Sequence, residues 1–237
     1  MLQIKNLTKR YKGGKAAVSN LSLDIQAGDI YGFIGHNGAG KTTTIKAVVG
    51  IIDFDEGEII IDGESIRNNP INCKKKIAYI PDNPDLYEHL TGIQYLNFVG
   101  DIFGVSAKDR EEKIRRYAAD FEITSVLGDL ISSYSHGMKQ KLAIISALIH
   151  EPKLLILDEP FVGLDPKAAL ILKNTMRELC EQGSAIFFST HVLDVAEKLC
   201  NKIAIIKNGK LIVSGKTNEL TKGQSLEDVF MEVADHA

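Results

Sequence analysis

Cysteine is scarce in this sequence, and the three that occur, Cys73, Cys180 and Cys200, are odd in number, widely spaced and in no C-x-x-C arrangement. That excludes a disulfide framework and gives no zinc pattern, leaving buried free thiols in a reducing compartment. A strong charge of either sign is also missing. Lys and Arg total 28 against 31 Asp and Glu, a net charge of −3, so no global basic field draws nucleic acid from a distance. Long hydrophobic runs are absent too. Leu142 to Ile149 is among the longest, far short of the roughly 20 apolar residues a membrane helix needs. The opening Met1 to Lys9 is too polar for a signal peptide, so any membrane role is expected to come through a partner. There is no internal repeat and no low-complexity linker. With 237 residues, 44% of them hydrophobic, the chain can build one sizeable α/β core or a core with a small subdomain.

Against that ordinary background one octapeptide stands out. Gly35-His36-Asn37-Gly38-Ala39-Gly40-Lys41-Thr42 matches G-x-x-x-x-G-K-[ST]. The run Asp29 to Ile34 before it reads as a buried strand, and Thr42 to Val49 after it as a helix start, which is the context a phosphate loop requires. Gly35, Gly38 and Gly40 keep side chains away while backbone N–H groups turn toward phosphate. The positive end of the following helix adds to the attraction. Asn37, Ala39 and Thr43 complete the expected binding set, with Lys41 reaching the terminal phosphates and the Thr42 hydroxyl holding Mg²⁺. The glycines do not fit G-x-G-x-x-G, so a dinucleotide loop is disfavoured. Asn201-Lys202-Ile203-Ala204 lacks the Asp of a guanine-reading N-K-x-D.

The pattern along the chain predicts an α/β fold in one domain, 1–237. Residues 1–30 alternate apolar and polar about the Gly13-Gly14 break and read as antiparallel strands with one wet face. Residues 57–80 read as a continuation of that style, with Glu58 to Ile61, a turn at Asp62-Gly63 and a strand at Lys76 to Ile80. A helical subdomain is expected over about 87–133, with Thr91 capping one helix and Ser106 another. Leu154 to Leu157 and Ala185 to Ser189 read as strands buried on both faces. Between them a helix is capped by Asp165, with Pro166 first and Gly183 past its end. A hairpin turned at Asn208-Gly209 and a short helical tail over 217–237 finish the chain.

The strand Leu154 to Leu157 runs into Asp158-Glu159-Pro160, at the sheet edge where α/β proteins present ligand sites. Asp158 suits Mg²⁺ opposite Thr42, and Glu159 suits a base that orients the attacking water. His191 follows another buried strand at the same edge and could hold the γ-phosphate and the water. Ser135 precedes a helix running to about Ile149, so its hydroxyl and the N–H groups near Gly137 offer a second anion site, or equally a simple helix cap.

Together, Gly35 to Thr42, Tyr134 to Gln140, Leu155 to Pro160, Gly163-Leu164-Asp165-Pro166 and Ser189-Thr190-His191 resemble the ATP-binding cassette of ABC transporters, in the right order and over essentially the whole chain. The resemblance implies a P-loop NTPase core with an N-terminal antiparallel β subdomain and an inserted α-helical subdomain. It implies an ATPase using ATP and Mg²⁺, with Tyr11 stacking on adenine and His191 as the switch histidine. By the same likeness, Ser135 and Gly137 of one copy clamp the γ-phosphate held at Lys41 of another, in a homodimer or heterodimer of ATP-binding subunits. A multi-span membrane permease would be driven from the cytoplasmic face, with Leu86, Tyr87 and Leu90 as candidate docking contacts. Two departures stand out. Tyr134, His136 and Met138 replace three of the five signature residues Leu-Ser-Gly-Gly-Gln, and Asp82 stands where a glutamine is usual, placing a carboxylate near the metal. These variants, the tail Ser225 to Phe230 and the early end of the chain resemble ABC-2-type exporters. The alternative, a soluble ATPase of the same fold acting on nucleic acid or ribosomes, is disfavoured because the chain has no long heptad coiled coil, no second cassette and no basic surface. No nucleic-acid partner is expected.

Overall fold

The computed structural model describes residues 1–235; the last two residues of the expected tail, 236 and 237, lie outside the described residues. Strands β1 (Leu2–Arg10) and β2 (Ala16–Ile25) lead to β3 (Ile30–Ile34), the phosphate loop and helix α1 (Lys41–Val48). Then come β4 (Glu56–Ile61), the short β5 (Glu64–Ser65), α2 (Pro70–Lys76) and β6 (Ile77–Ile80). Helices α3 (Gly92–Ile102), α4 (Ala107–Asp120) and α5 (His136–Leu148) follow, with two 3-10 turns between the last two. The second half alternates strand and helix: β7 (Leu154–Asp158), α6 (Pro166–Glu181), β8 (Ala185–Thr190), α7 (Leu193–Leu199) and β9 (Lys202–Lys207). It ends with β10 (Lys210–Lys216), α8 (Thr217–Thr221) and α9 (Leu226–Asp235).

Local chemistry sets many of these boundaries. Thr91 and Gln94 form a reciprocal capping box at α3, and the Asp165 carboxylate accepts from Ala168 N–H at 2.8 Å to start α6. Asn208 and Gly209 both have positive φ, 50° and 79°, the backbone a tight turn between the antiparallel β9 and β10 demands.

Two sheets result. One runs β2-β1-β4-β5 and is antiparallel; the other runs β10-β9-β3-β8-β7-β6, with only the β9–β10 pair antiparallel. Here the structure corrects the sequence reading: β6 does not continue the antiparallel meander but pairs in parallel with β7, Ile77 opposite Leu154 and Ile80 opposite Leu157. The cause is α2, unforeseen in the sequence, which has Pro70 in its first turn and carries the chain from one sheet to the other.

The five parallel strands of the larger sheet are buried on both faces, whereas the edge strand β10 is partly exposed. On β7, Leu154 and Ile156 join a core with Phe33, Phe187, α1 and the antiparallel sheet, while Leu155 and Leu157 face Leu142, Ile145 and Leu172 of α5 and α6. Each such leucine or isoleucine contributes about 1.5–3 kcal/mol by leaving water. This clamping fixes the carboxyl ends of β3, β6, β7 and β8, where the loops with Lys41, Asp82, Glu159 and His191 emerge.

Candidate functional site

The phosphate loop needs its glycines for space as well as conformation. A Cβ on Gly35 would sit 2.5 Å from the Ile206 carbonyl oxygen, and one on Gly40, at φ 110°, 2.6 Å from that of Ala17. Gly40 precedes α1 with no side-chain cap, so the first-turn N–H groups stay available to an anion. Lys41 is buried, with its ammonium donating to the Gly35 carbonyl at 2.6 Å and lying 3.4 Å from Glu159 Oε1.

Around this loop a cavity of about 210 Å³ brings together Asn37, Gly38, Gly40, Lys41, Thr42 and Thr43 with Asp82, Asp158 and Glu159. Gly35 and Ala39 do not line it: the Gly35 carbonyl accepts from the Lys41 ammonium, and Ala39 is buried in the core. Asp158 is 1% exposed; its Oδ1 accepts from the Ser189 hydroxyl, while the buried Oδ2 has no hydrogen-bond partner among the described residues. A shielded carboxylate oxygen without a protein donor, sharing a cavity with the Thr42 hydroxyl, is the hard oxygen environment a small divalent cation takes. Among the described residues no cluster of three His, Cys, Asp or Glu could hold a metal on protein ligands alone.

Glu159 sits in left-handed backbone at φ 48°, a strained turn for a non-glycine residue. Its amide donates to Ser189 Oγ at 3.1 Å and to the Ser189 carbonyl at 3.2 Å. The carboxylate is gripped from the other side by His191, whose Nδ1 lies 2.9 Å and backbone N–H 3.3 Å from Oε2. Glu159 thus spans the space between Lys41 and His191, although His191 itself is half exposed and does not line the cavity.

Two contributors escaped the sequence reading. Ser189 holds Asp158 and the Glu159 amide at once, and a serine at a strand end carries no signal of that role. Tyr79, on β6, buries a hydroxyl with no partner among the described residues; burial, with Asp158 and Asp82 nearby, pushes its pKa well above the ordinary phenol value and keeps it a proton donor.

Other expected residues lie elsewhere. Tyr11 directly follows β1, half exposed, with the Lys9 ammonium 5.4 Å over its ring, and does not line the cavity. Ser135 caps α5, its hydroxyl accepting from Met138 N–H at 3.3 Å, also outside the cavity. Gly137 packs against the Gly163 turn, where a Cβ on Gly137 would lie 3.0 Å from the Gly163 carbonyl oxygen. Tyr134 is buried and its hydroxyl donates to the Val126 carbonyl at 2.5 Å, a structural use for the residue that replaces leucine. Of the docking candidates, Leu86 is buried and packs the core, whereas Tyr87 is half exposed against Tyr95 and Phe98.

A parallel sheet whose edge carries a glycine-rich phosphate loop, a buried acid and a braced glutamate defines a P-loop nucleoside triphosphatase. Comparison with known proteins narrows the class. A family model described as ABC transporter matches residues 18–162. The chain is 34% identical over 238 residues to the ABC-type transporter ATP-binding protein EcsA of Bacillus subtilis, covering 98% of this chain and 96% of that one. It is 33% identical over 235 residues to the Nod factor export ATP-binding protein I of Cupriavidus metallidurans, covering 99% and 77%. A solved ATP-binding subunit of an ABC transporter superposes with a TM-score of 0.95 at 33% identity, over 99% of each chain. The chain belongs to the ABC transporter family, as an ATP-binding and ATP-hydrolysing subunit.

Proposed function

We propose that this subunit powers an exporter from the cytoplasmic face of a membrane, pairing with a second ATP-binding subunit, identical or homologous, and driving a separate multi-span permease. Among the described residues no helix is long and apolar enough to cross a membrane. The Nod factor relative supports export, since export is what that protein's name records.

The observation that carries the hydrolytic part is the Lys41–Glu159–His191 chain of contacts beside Asp158. Lys41 is paired to Glu159, so an arriving phosphate competes for the ammonium and frees Glu159 Oε1 to accept from water. His191 keeps the glutamate aimed while that happens. The Thr42 hydroxyl and Asp158 Oδ2 would hold Mg²⁺, with Asp82 at the cavity rim. When bound, the ion would neutralise charge developing on the transferred phosphoryl group. The N-terminus of α5, with Ser135 and Gly137, would complete the site of the opposite subunit, and Tyr11 would stack on the adenine ring.

For the permease, the docking surface is a mostly apolar groove of about 360 Å³ where α3 meets β6 and α1, lined by Ile51, Tyr79, Tyr95, Phe103 and His150. Tyr87 and Phe98 extend it as exposed aromatics. The test is purification of tagged Glu159→Gln protein from detergent-solubilised native membranes in Mg-ATP. Turnover is expected to fall about 10²–10⁴-fold, the usual contribution of a positioned base, with ATP retained and a multi-span partner co-purified. Undiminished turnover would remove Glu159 from the chemistry. A partner made of ribosomes or DNA would remove the transporter reading.

A further inference from the structure

The C-terminal helix touches the phosphate loop. On α9 the Phe230 ring meets the His36 imidazole edge-on, with centroids 5.0 Å apart and planes at 67°. His36 is the second residue of the phosphate loop and lines the cavity beside Lys41, while its carbonyl accepts from Ala39 N–H at 3.1 Å.

The helix that delivers Phe230 is firmly placed. Leu226 and Val229 are buried against Ala196 and Leu199 of α7, the helix that follows His191. Ser225 and Asp228 cap α9 reciprocally: Asp228 N–H donates to Ser225 Oγ at 3.1 Å, and Ser225 N–H donates to the Asp228 carboxylate at 3.2 Å. A further first-turn donor, Leu226 N–H, is taken by Glu197 of α7 at 2.9 Å. Both ends of α9's grip are therefore specified: apolar side chains and a carboxylate fix it to α7, and one aromatic ring reaches the loop.

We propose that Phe230 is a positioning residue for ATP binding: it holds the His36 side chain, and through it the phosphate loop, in the nucleotide-accepting arrangement. The imidazole has solvent on one side and the phosphate cavity on the other, and Phe230 is the ring that limits its rotation. The α9 helix thereby ties the loop of Lys41 to the helix behind His191. The inference rests on the cavity being the ATP site.

The test measures ATP affinity and steady-state kinetics of the full chain in four forms: unaltered, Phe230→Ala, His36→Ala and the double variant. An edge-on aromatic contact predicts that Phe230→Ala raises the dissociation constant and KM for ATP about threefold to tenfold, with kcat changed less than about twofold. Phe230→Tyr, which keeps the ring, is expected to stay close to the unaltered protein. In the His36→Ala background the Phe230 effect should disappear, an outcome that a purely structural role for Phe230 would not produce. Unchanged affinity in Phe230→Ala, or an equal loss in both backgrounds, overturns the proposal. Lys41→Ala separates the two readings, since abolished ATP binding there with no effect at Phe230 leaves the site standing and removes only the positioning role.

Discussion

Removing the Ser189 hydroxyl tests the brace under both acidic residues. In Ser189→Ala, Asp158 Oδ1 loses its donor, and Oδ2 has none among the described residues, so a carboxylate 1% exposed is left without a hydrogen bond. The Glu159 amide fares better because it also donates to the Ser189 carbonyl at 3.2 Å, which the substitution leaves in place. Nearly all of the cost therefore falls on Asp158. A charge-assisted hydrogen bond contributes about 1.5–3 kcal/mol, and the stranded buried oxygen puts the loss at the upper part of that range. For a chain of this size that corresponds to a fall in melting temperature of roughly 4–10 °C.

The assay is thermal and denaturant unfolding in EDTA, so that no divalent cation compensates Asp158, run as a cycle with Asp158→Asn. Once the charge is gone, losing the hydroxyl should cost only about 0.5–1.5 kcal/mol, the ordinary net value of a neutral hydrogen bond. A Ser189→Ala protein as stable as the parent would refute the reasoning. So would an equal penalty in both backgrounds, because the cost would then come from packing and not from the carboxylate.

Gly40→Ala should disable the phosphate loop, since its Cβ would lie 2.6 Å from the Ala17 carbonyl in a backbone at φ 110°. Strain of about 1–3 kcal/mol relieved by moving the loop weakens ATP about tenfold or more, read by equilibrium binding, and unchanged affinity would show that the loop yields without cost. His150 offers a pH test. Its ring stacks on Phe103 at 3.7 Å, Nε2–H donates to the Ile77 carbonyl at 3.2 Å, and burial lowers its pKa below the ordinary imidazole value of 6.5. The unfolded chain therefore binds the proton first. The stabilisation is complete above about pH 6.5 and is lost as pH falls toward the lower folded value, so melting curves from pH 7.5 to 5 should be steeper for the parent than for His150→Phe. Parallel curves would show that His150 does not carry this dependence.

Much of the fold was legible because its signals are local. The Thr91 cap, the Asp165-Pro166 start and the Asn208-Gly209 turn each act within four residues, and all three appear in the structure as read. The misassigned β6 shows the limit. Its four residues are too few for period to separate a wet antiparallel strand from one buried in a parallel sheet, and only the crossover through α2 decides. At the site, the spacing of the phosphate loop and the Asp158-Glu159 pair after an apolar strand drew attention to residues that share one cavity. Ser189, Tyr79 and Phe230 stayed hidden because their importance is a contact across sequence distance: a serine beside a neighbouring strand, a phenol under a cavity, a ring from the far end of the chain.

The same geometry ties the N-terminus of α5 to the turn that carries Glu159. From Glu159 the chain passes through Gly163, at φ 80°, to Asp165, and it is held to the first residue of α5 at Gly163 and to the second turn of α5 at Asp165. The His136 ring fills the place of the missing Gly163 Cβ, 2.7 Å from where that atom would stand. Lys141 pairs with Asp165 at 2.7 Å and holds its carboxyl below the usual carboxylate range, with the Ala168 N–H adding to the effect. A glycine at position 136, as in the commoner signature, would leave that ring contact unmade. The histidine here therefore replaces freedom at the α5 N-terminus with a packed contact to the turn that carries Glu159. In the proposed dimer, a displacement of Ser135 and Gly137 by phosphate on an opposing subunit would be passed to Gly163, and Glu159 lies four residues up the same turn. In this chain the α5 segment that begins at Ser135 and the turn that carries Glu159 are joined by side-chain packing as well as by backbone.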